Sequence, residues 1–213
     1  MEKMYDMTVK KFVEEIASNS PAPGGGSVAA LCGSISSALS SMVFSLTVGK
    51  KKYLAYSQED RDSIDKGIIK ANQLKDRYLE LMVEDTAAFD EVMAAFKLPK
   101  NTDEEKAARK EAVAAAYVTA MNVPLGVAKL AMEVFPLLKL AVTKGNSSAM
   151  SDAGVGALMA CSCVEGAILN VRINLSGITD EKLAQETKVQ CKTLVEAARS
   201  KRDEILAIVD AAL

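Results

Sequence analysis

Histidine is absent from the 213 residues. No imidazole is available as a base or a metal ligand, which removes the Ser-His-Asp triad and the usual zinc hydrolase site. Acid–base chemistry falls to Asp, Glu, Lys, Tyr, Cys or the backbone. Cysteine is scarce: Cys32, Cys161, Cys163 and Cys191 are the four, and no C-x-x-C occurs. Cys161 and Cys163 are two apart, so on a helix they point to roughly opposite faces. Buried free thiols in a reducing cytoplasm are expected, rather than a disulfide or metal pair. An excess of positive charge is lacking too. Lys and Arg number 26 against 28 Asp and Glu, a net charge of -2, which disfavours a global nucleic-acid binder. There is no G-x-x-x-x-G-K-[ST] phosphate loop. Gly24-x-Gly26-x-x-Ala29 nominally fits a dinucleotide fingerprint, but no strand precedes it. The first residues, MEKMYDMTVKKFVEE, carry mixed charge and no signal-peptide core.

What is present is ordinary globular material, 49% apolar and 25% charged. No repeat, low-complexity tail or linker divides it, so residues 1–213 are read as one domain. Strand alternation is missing throughout, and helical periodicity is everywhere. The pattern gives helices over Val9 to about Ala17 with Thr8 as cap, and from about Ser27 to Val48. A long one follows a Ser57 cap, its face running Ile64, Ile68, Ala71, Leu74, Tyr78, Leu81, Asp85, Phe89, Val92 and Phe96. That face lasts about nine turns of a helix roughly 58 Å long, with Gly67 as a possible early interruption. Thr102 with Glu105 makes a capping box for an alanine-rich helix. Pro124 should start or kink the next helix, and Pro136 should break it again. Ser151 caps an almost uncharged helix from Asp152 to about Ile173, and a charged amphipathic helix spans about Asp180 to Ala211. The fold class is all-α, a bundle of long and medium helices. No charge occurs between Ile16 and Gly49, and Lys50-Lys51-Lys52 follows, as at the end of a membrane span. Seven serines from Ser27 to Ser45 and the Pro-Ala-Pro-Gly-Gly-Gly that precedes them argue instead for a buried helix that its neighbours approach closely.

Three places break the local pattern, and such places are where function is expected. Gly24, Gly25, Gly26 and Ser27 follow two prolines at a helix start. Their free N–H groups suit an anion or a carbonyl oxygen, and a tight connection between packed helices accounts for the same residues. Asp85 stands in the apolar stripe between Leu81 and Phe89. Burial raises a carboxyl pKa and suits it to proton transfer. A buried ion pair, or a stripe edge that reaches solvent, fits equally. The third place is the Gly/Ser loop from Gly145 to Gly154, with Asn146, Asp152 and, downstream, Asn170 and Asn174. Capping explains Asp152, which also lies at the mouth of an uncharged helix. Glu165 in that helix is read as solvent-facing. Lys50, Lys51 and Lys52 either offset a helix dipole or anchor an acidic substrate.

The segments PAPGGGSVAAL, TVGKKKY, VEDTAAFDEVMAAFKLPK, GNSSAMSDAGVGA and ILNVRINL, in that order, resemble the cyclodeaminase/cyclohydrolase family of folate one-carbon metabolism, from about Met7 onward. The family contains methenyltetrahydrofolate cyclohydrolases and formimidoyltetrahydrofolate cyclodeaminases. The resemblance implies an all-helical homodimer with a folate site near the subunit interface, no metal, and no cofactor beyond the tetrahydrofolate substrate. It implies a cytoplasmic enzyme that opens 5,10-methenyltetrahydrofolate to 10-formyltetrahydrofolate or, alternatively, closes 5-formimidoyltetrahydrofolate with loss of ammonia. On that basis Asp85 would shuttle the proton and Asp152 would hold the pterin. Asn146 and Asn170 would position water or the pterin carbonyl. Gly24 to Gly26 with Ser27 would admit the ring, and Lys50 to Lys52 would hold the glutamate tail. A folate-binding protein without turnover and a helical scaffold are the non-enzyme alternatives. No nucleic-acid or membrane partner is expected.

Overall fold

The computed structural model describes residues 4–213, so residues 1–3 of the expected domain lie outside the described residues. Eight α-helices occur among them and no strand: α1 (Val9–Ile16), α2 (Gly25–Ser45), α3 (Lys51–Leu54), α4 (Gln58–Phe96), α5 (Asp103–Ala131), α6 (Val134–Lys144), α7 (Met150–Asn174) and α8 (Glu181–Asp210). The all-α reading stands. The expected caps are present: Thr8 accepts from the Lys11 N–H, Ser57 from Asp60, and Thr102 and Glu105 close a full capping box.

At the centre α2 and α7 run antiparallel, with Ala29 opposite Gly166 and Leu39 opposite Gly156. Small residues permit this approach. The Ser36 hydroxyl donates to the Gly156 carbonyl at 2.7 Å across the pair, and Ser34 donates to the Lys75 carbonyl of α4 at 3.0 Å. Ser37 and Ser40 bond back to the carbonyls four residues earlier. Of the serines that argued against lipid, Ser27, Ser34, Ser36, Ser37, Ser40 and Ser41 are buried, and Ser45 at the end of α2 is exposed. By length and apolarity alone two stretches, Gly25–Ser45 and Ser147–Gly177, would cross a bilayer; 56% of each is buried inside the fold. α4 packs along α2, α5 hairpins back from α4, and α6 and α8 close the remaining sides of α7. Gly67 does not interrupt α4. It leaves room for Phe44, whose ring a Cβ there would meet at 2.8 Å. Cys161 and Cys163 are both buried despite their opposite directions, because α7 is covered on most of its circumference. The four cysteines are free thiols.

Several boundaries differ from expectation. α2 starts at Gly25 and ends at Ser45, and Lys51 and Lys52 belong to the separate short α3, with Lys50 as its N-cap, beyond a turn at Gly49 (φ 75°). Pro124 neither starts nor ends a helix: α5 runs through it. Proline lacks the N–H that would satisfy the Ala120 carbonyl. The Asn174 side-chain amide donates to that carbonyl instead, at 2.8 Å. The break falls at Met132 and Glu133, and Pro136 sits in the first turn of α6, where no intrahelical N–H is needed. Ser151 is inside α7 rather than its cap. Asn146 has the capping role one step earlier, accepting from the Ser148 N–H at the 3-10 turn Ser147–Ala149. Glu165 is only partly exposed and pairs with Arg199 of α8.

Candidate active site

The site begins at the first turn of α2. Gly24 is the N-cap and supplies no side chain, so the first N–H groups lack the usual hydroxyl or carboxylate partner from their own segment. Asp85 provides one from α4. Its Oδ2 accepts the Ser27 hydroxyl at 3.0 Å. The same hydroxyl lies 3.4 Å from the Met82 carbonyl and 3.5 Å from Thr86 Oγ1. One proton serves these positions, so Ser27 has somewhere else to turn when Asp85 no longer accepts. Burial pushes the Asp85 carboxyl above its ordinary range, and the hydroxyl and N–H of Ser27 pull part of the way back. This approach explains the glycine at position 26: a Cβ there would stand 2.5 Å from Asp85 Cγ. Position 25 is less confined: a Cβ there would stand 3.4 Å from Asn170 Nδ2.

Asp85 stands in a cleft of about 410 Å³ walled by α2, α4, α5 and α7. Gly24 to Gly26 form one end with Asn170. Its Nδ2 donates to the Gly166 carbonyl, which leaves the amide oxygen as an acceptor. Phe89 and Phe96 of α4 and Tyr117 of α5 line the apolar length. The Phe96 and Tyr117 rings meet edge to face at 6.1 Å. Gly177 lies against the Tyr117 ring, where any side chain would collide. A flat aromatic ligand fits such walls, with polar groups gathered at the Asp85 end.

The residues singled out in the sequence fall into two groups. Asp85, Gly24, Gly25, Gly26, Ser27 and Asn170 come together here. Asp152 and Asn146 lie at the other end of the bundle. Asp152 and Asn170 are eighteen positions apart on α7, about 27 Å. Asn146 bonds there to Thr47 and the Leu46 carbonyl. Lys50 to Lys52 are at that same end: their neighbour Tyr53 bonds Asp65, twenty positions before Asp85 on α4, about 30 Å away. Three cleft residues escaped notice in the sequence. Phe89 and Phe96 read as core, and Tyr117 was simply the aromatic in an alanine run. A kink residue with an unexplained partner, Pro124, was the available signal for that region.

An uncapped helix start facing a half-buried carboxylate beside an aromatic cleft is the candidate small-molecule site of this all-helical protein. Its fold is that of formiminotetrahydrofolate cyclodeaminase from Thermotoga maritima, whose crystal structure matches with a TM-score of 0.78 over 98% of this chain and 96% of that one, at 23% identity. The formiminotransferase-cyclodeaminase family model matches residues 8–193. The methenyltetrahydrofolate cyclohydrolase of Methylorubrum extorquens is 38% identical over 93% of both chains. The formimidoyltransferase-cyclodeaminase of Gallus gallus is also 38% identical, over 93% of this chain but only 36% of its own length. The chain belongs to the formiminotransferase-cyclodeaminase family.

Proposed function

We propose that this protein is a methenyltetrahydrofolate cyclohydrolase, which adds water to the one-carbon bridge of 5,10-methenyltetrahydrofolate and releases 10-formyltetrahydrofolate. The observation that carries the reading is the 38% identity to the Methylorubrum cyclohydrolase over 93% of both chains. The Asp85 cleft supports it chemically. The ionised carboxyl takes a proton from water as oxygen attacks the cationic bridge carbon. A tetrahedral carbinol forms. The C–N5 bond then breaks, N5 receives the proton from Asp85, and the carbinol proton leaves as the formyl C=O forms. Atoms and charge balance without a metal or a nucleotide cofactor. The N–H groups at Gly25 and Gly26 and the Asn170 amide would orient the pterin. The free thiols suit a reducing compartment, and we place the protein in the cytoplasm.

The second reading is formimidoyltetrahydrofolate cyclodeaminase, favoured by the family match and the chicken relative. There N10 attacks the formimidoyl carbon, its proton moves by way of Asp85, and ammonia departs. Absorbance of the methenyl chromophore separates the two. Loss on adding enzyme to methenyltetrahydrofolate supports hydrolysis, and gain from formimidoyltetrahydrofolate supports deamination. No change with either sinks both.

We also propose a homodimer through the outer faces of α2 and α7. Ile35, Met42 and Leu46 on one helix and Val155, Leu158 and Leu169 on its neighbour are exposed, on surfaces nearly free of charge. Ile173, 71% exposed on the same face of α7, also lines the cleft, so a second copy would wall its mouth. Asp152, Asn146 and Lys50 to Lys52 would reach such a cleft only from that second copy. Sedimentation of Leu158→Glu checks this: a monomer is expected, and an unchanged dimer rejects the face.

A further inference from the structure

Asn174 stands in the cleft lining one helical turn beyond Asn170 on α7, and both side chains are half-buried. Its amide nitrogen carries two hydrogens, and both are placed. One goes to the Ala120 carbonyl at 2.8 Å, where Pro124 leaves the gap, and the other to the Asn170 carbonyl at 3.0 Å. The Asn170 side chain is held in the same manner, with Nδ2 on the Gly166 carbonyl at 2.9 Å. A carbonyl only accepts. Turning either amide over would set oxygen against oxygen, so both side-chain oxygens are fixed as acceptors. No donor among the described residues reaches either of them. The lining holds no Lys or Arg among those residues. Its Ser176 hydroxyl is committed to the Ile173 carbonyl at 2.8 Å, and its Thr86 hydroxyl to Met4 Sδ at 3.8 Å. Ionised Asp85 adds a third acceptor at the same end. The α7 wall of the cleft is thus short of donors, and a ligand has to bring them.

We propose that Asn174 determines substrate specificity: its oxygen, with that of Asn170, accepts N–H groups of the substrate's pterin ring. The inference rests on the folate reading of this cleft. A reduced pterin carries a 2-amino group and further ring N–H groups, which suits a wall of acceptors. A ring with lone pairs in their place would leave both sides of the contact unpaired, and sites built this way reject such analogues strongly. Pro124 is part of the arrangement. A residue with an N–H at position 124 would bond the Ala120 carbonyl itself and free the Asn174 amide to rotate. The proline removes one hydrogen bond from α5 and thereby decides which end of Asn174 the ligand meets.

The test compares Asn174→Leu with Asn174→Asp, each in the wild-type chain and in Pro124→Ala. In the wild-type chain both variants orphan the Ala120 carbonyl alike, and only Asn174→Asp keeps an acceptor oxygen. Pro124→Ala gives Ala120 a main-chain N–H and so removes the structural effect. In that background Asn174→Leu should raise KM for methenyltetrahydrofolate about ten- to hundredfold, with kcat changed far less and the denaturant midpoint restored. Asn174→Asp should keep KM much nearer normal in either chain. A normal KM for Pro124→Ala/Asn174→Leu would show that Asn174 merely stands in for the missing N–H. That result, or equal KM values for Asn174→Leu and Asn174→Asp, overturns the proposal. Calorimetry with tetrahydrofolate repeats the comparison without turnover. Wild type that binds tetrahydrofolate, with the same difference between the two variants, yet hydrolyses nothing faults the activity and keeps the Asn174 contact. Wild type that binds no tetrahydrofolate overturns both.

Discussion

Gly26→Ala is a one-carbon change whose effect is set by a single neighbour. The new Cβ would lie 2.5 Å from Cγ and 2.6 Å from Oδ2 of Asp85, and nearer still to Oδ1. Ordinary contact begins near 3.4 Å. The carboxyl group must therefore retreat by about 1 Å, because Gly26 is buried in the first turn of α2 and its backbone is held by helix bonds. Retreat lengthens or breaks the Ser27 bond, now 3.0 Å. Two stability effects oppose each other. Alanine improves helix propensity by up to ~1 kcal/mol, and losing a hydrogen bond to a charged group costs about 1.5–3 kcal/mol. The net is a modest destabilisation that leaves the protein folded. Catalysis has no such offset: a 1 Å misplacement costs about 10²-fold. Gly126→Ala, inside α5, is the control, since a Cβ there would meet nothing within 4 Å. Initial rates from the methenyl absorbance, with circular dichroism to confirm folding, give the answer. Gly26→Ala at a near-normal rate would refute the claim that Asp85 moves the proton from this position.

Asp85→Asn should lower turnover by about 10²–10⁴-fold, the range of a positioned general base, and a near-normal rate would remove the assignment. The same variant should alter stability with a defined sign. The folded carboxyl titrates above its unfolded value, so its contribution is fully present below about pH 4 and is lost as pH rises through the folded pKa. Asparagine cannot ionise, so denaturant midpoints of the variant should gain on wild type from pH 4 upward, and parallel curves would contradict the burial argument. Ser27→Ala removes a bond that favours the ionised acid, so the acidic limb of the kcat/KM profile should move to higher pH; a shift to lower pH would reverse the account. Gly33→Ala should destabilise by about 1–3 kcal/mol, because its Cβ would meet the fully buried Tyr78 ring at 2.5 Å, and an unchanged denaturant midpoint would show that this core has slack.

Periodicity made the helices legible because each buries one stripe, and the caps were legible because a hydroxyl or carboxylate three residues before a free N–H is a local feature. Asp85 was visible for a related reason: a charge at a stripe position has no local explanation. What escaped was settled by tertiary partners. Pro124 reads as a break until Asn174, fifty positions away, supplies the missing donor to Ala120. Gly67 reads as a weak point until Phe44 fills its place. The gathering of Asp85, Gly26 and Asn170, and the distance of Asp152 from all three, follow from the antiparallel packing of α2 and α7, which no local spacing encodes.

The site also resolves a conflict between two electrostatic tendencies. A helix start without its own cap favours a negative charge, by roughly 0.3–1 kcal/mol at an exposed end and more when partly buried. A buried carboxylate resists that charge. At Asp85 burial prevails, since the acid titrates above its ordinary value even with Ser27 donating to it. An acid held in that balance releases and regains a proton at less cost than one locked in a salt bridge, and no cation is among the causes that shift it. Placing lysine beside it would lower its pKa, improve folding at neutral pH and weaken it as a base. The glycines at positions 24 to 26 avoid that outcome. They bring backbone dipoles, rather than a full positive charge, to the carboxyl group, and they leave the space through which a substrate can reach it.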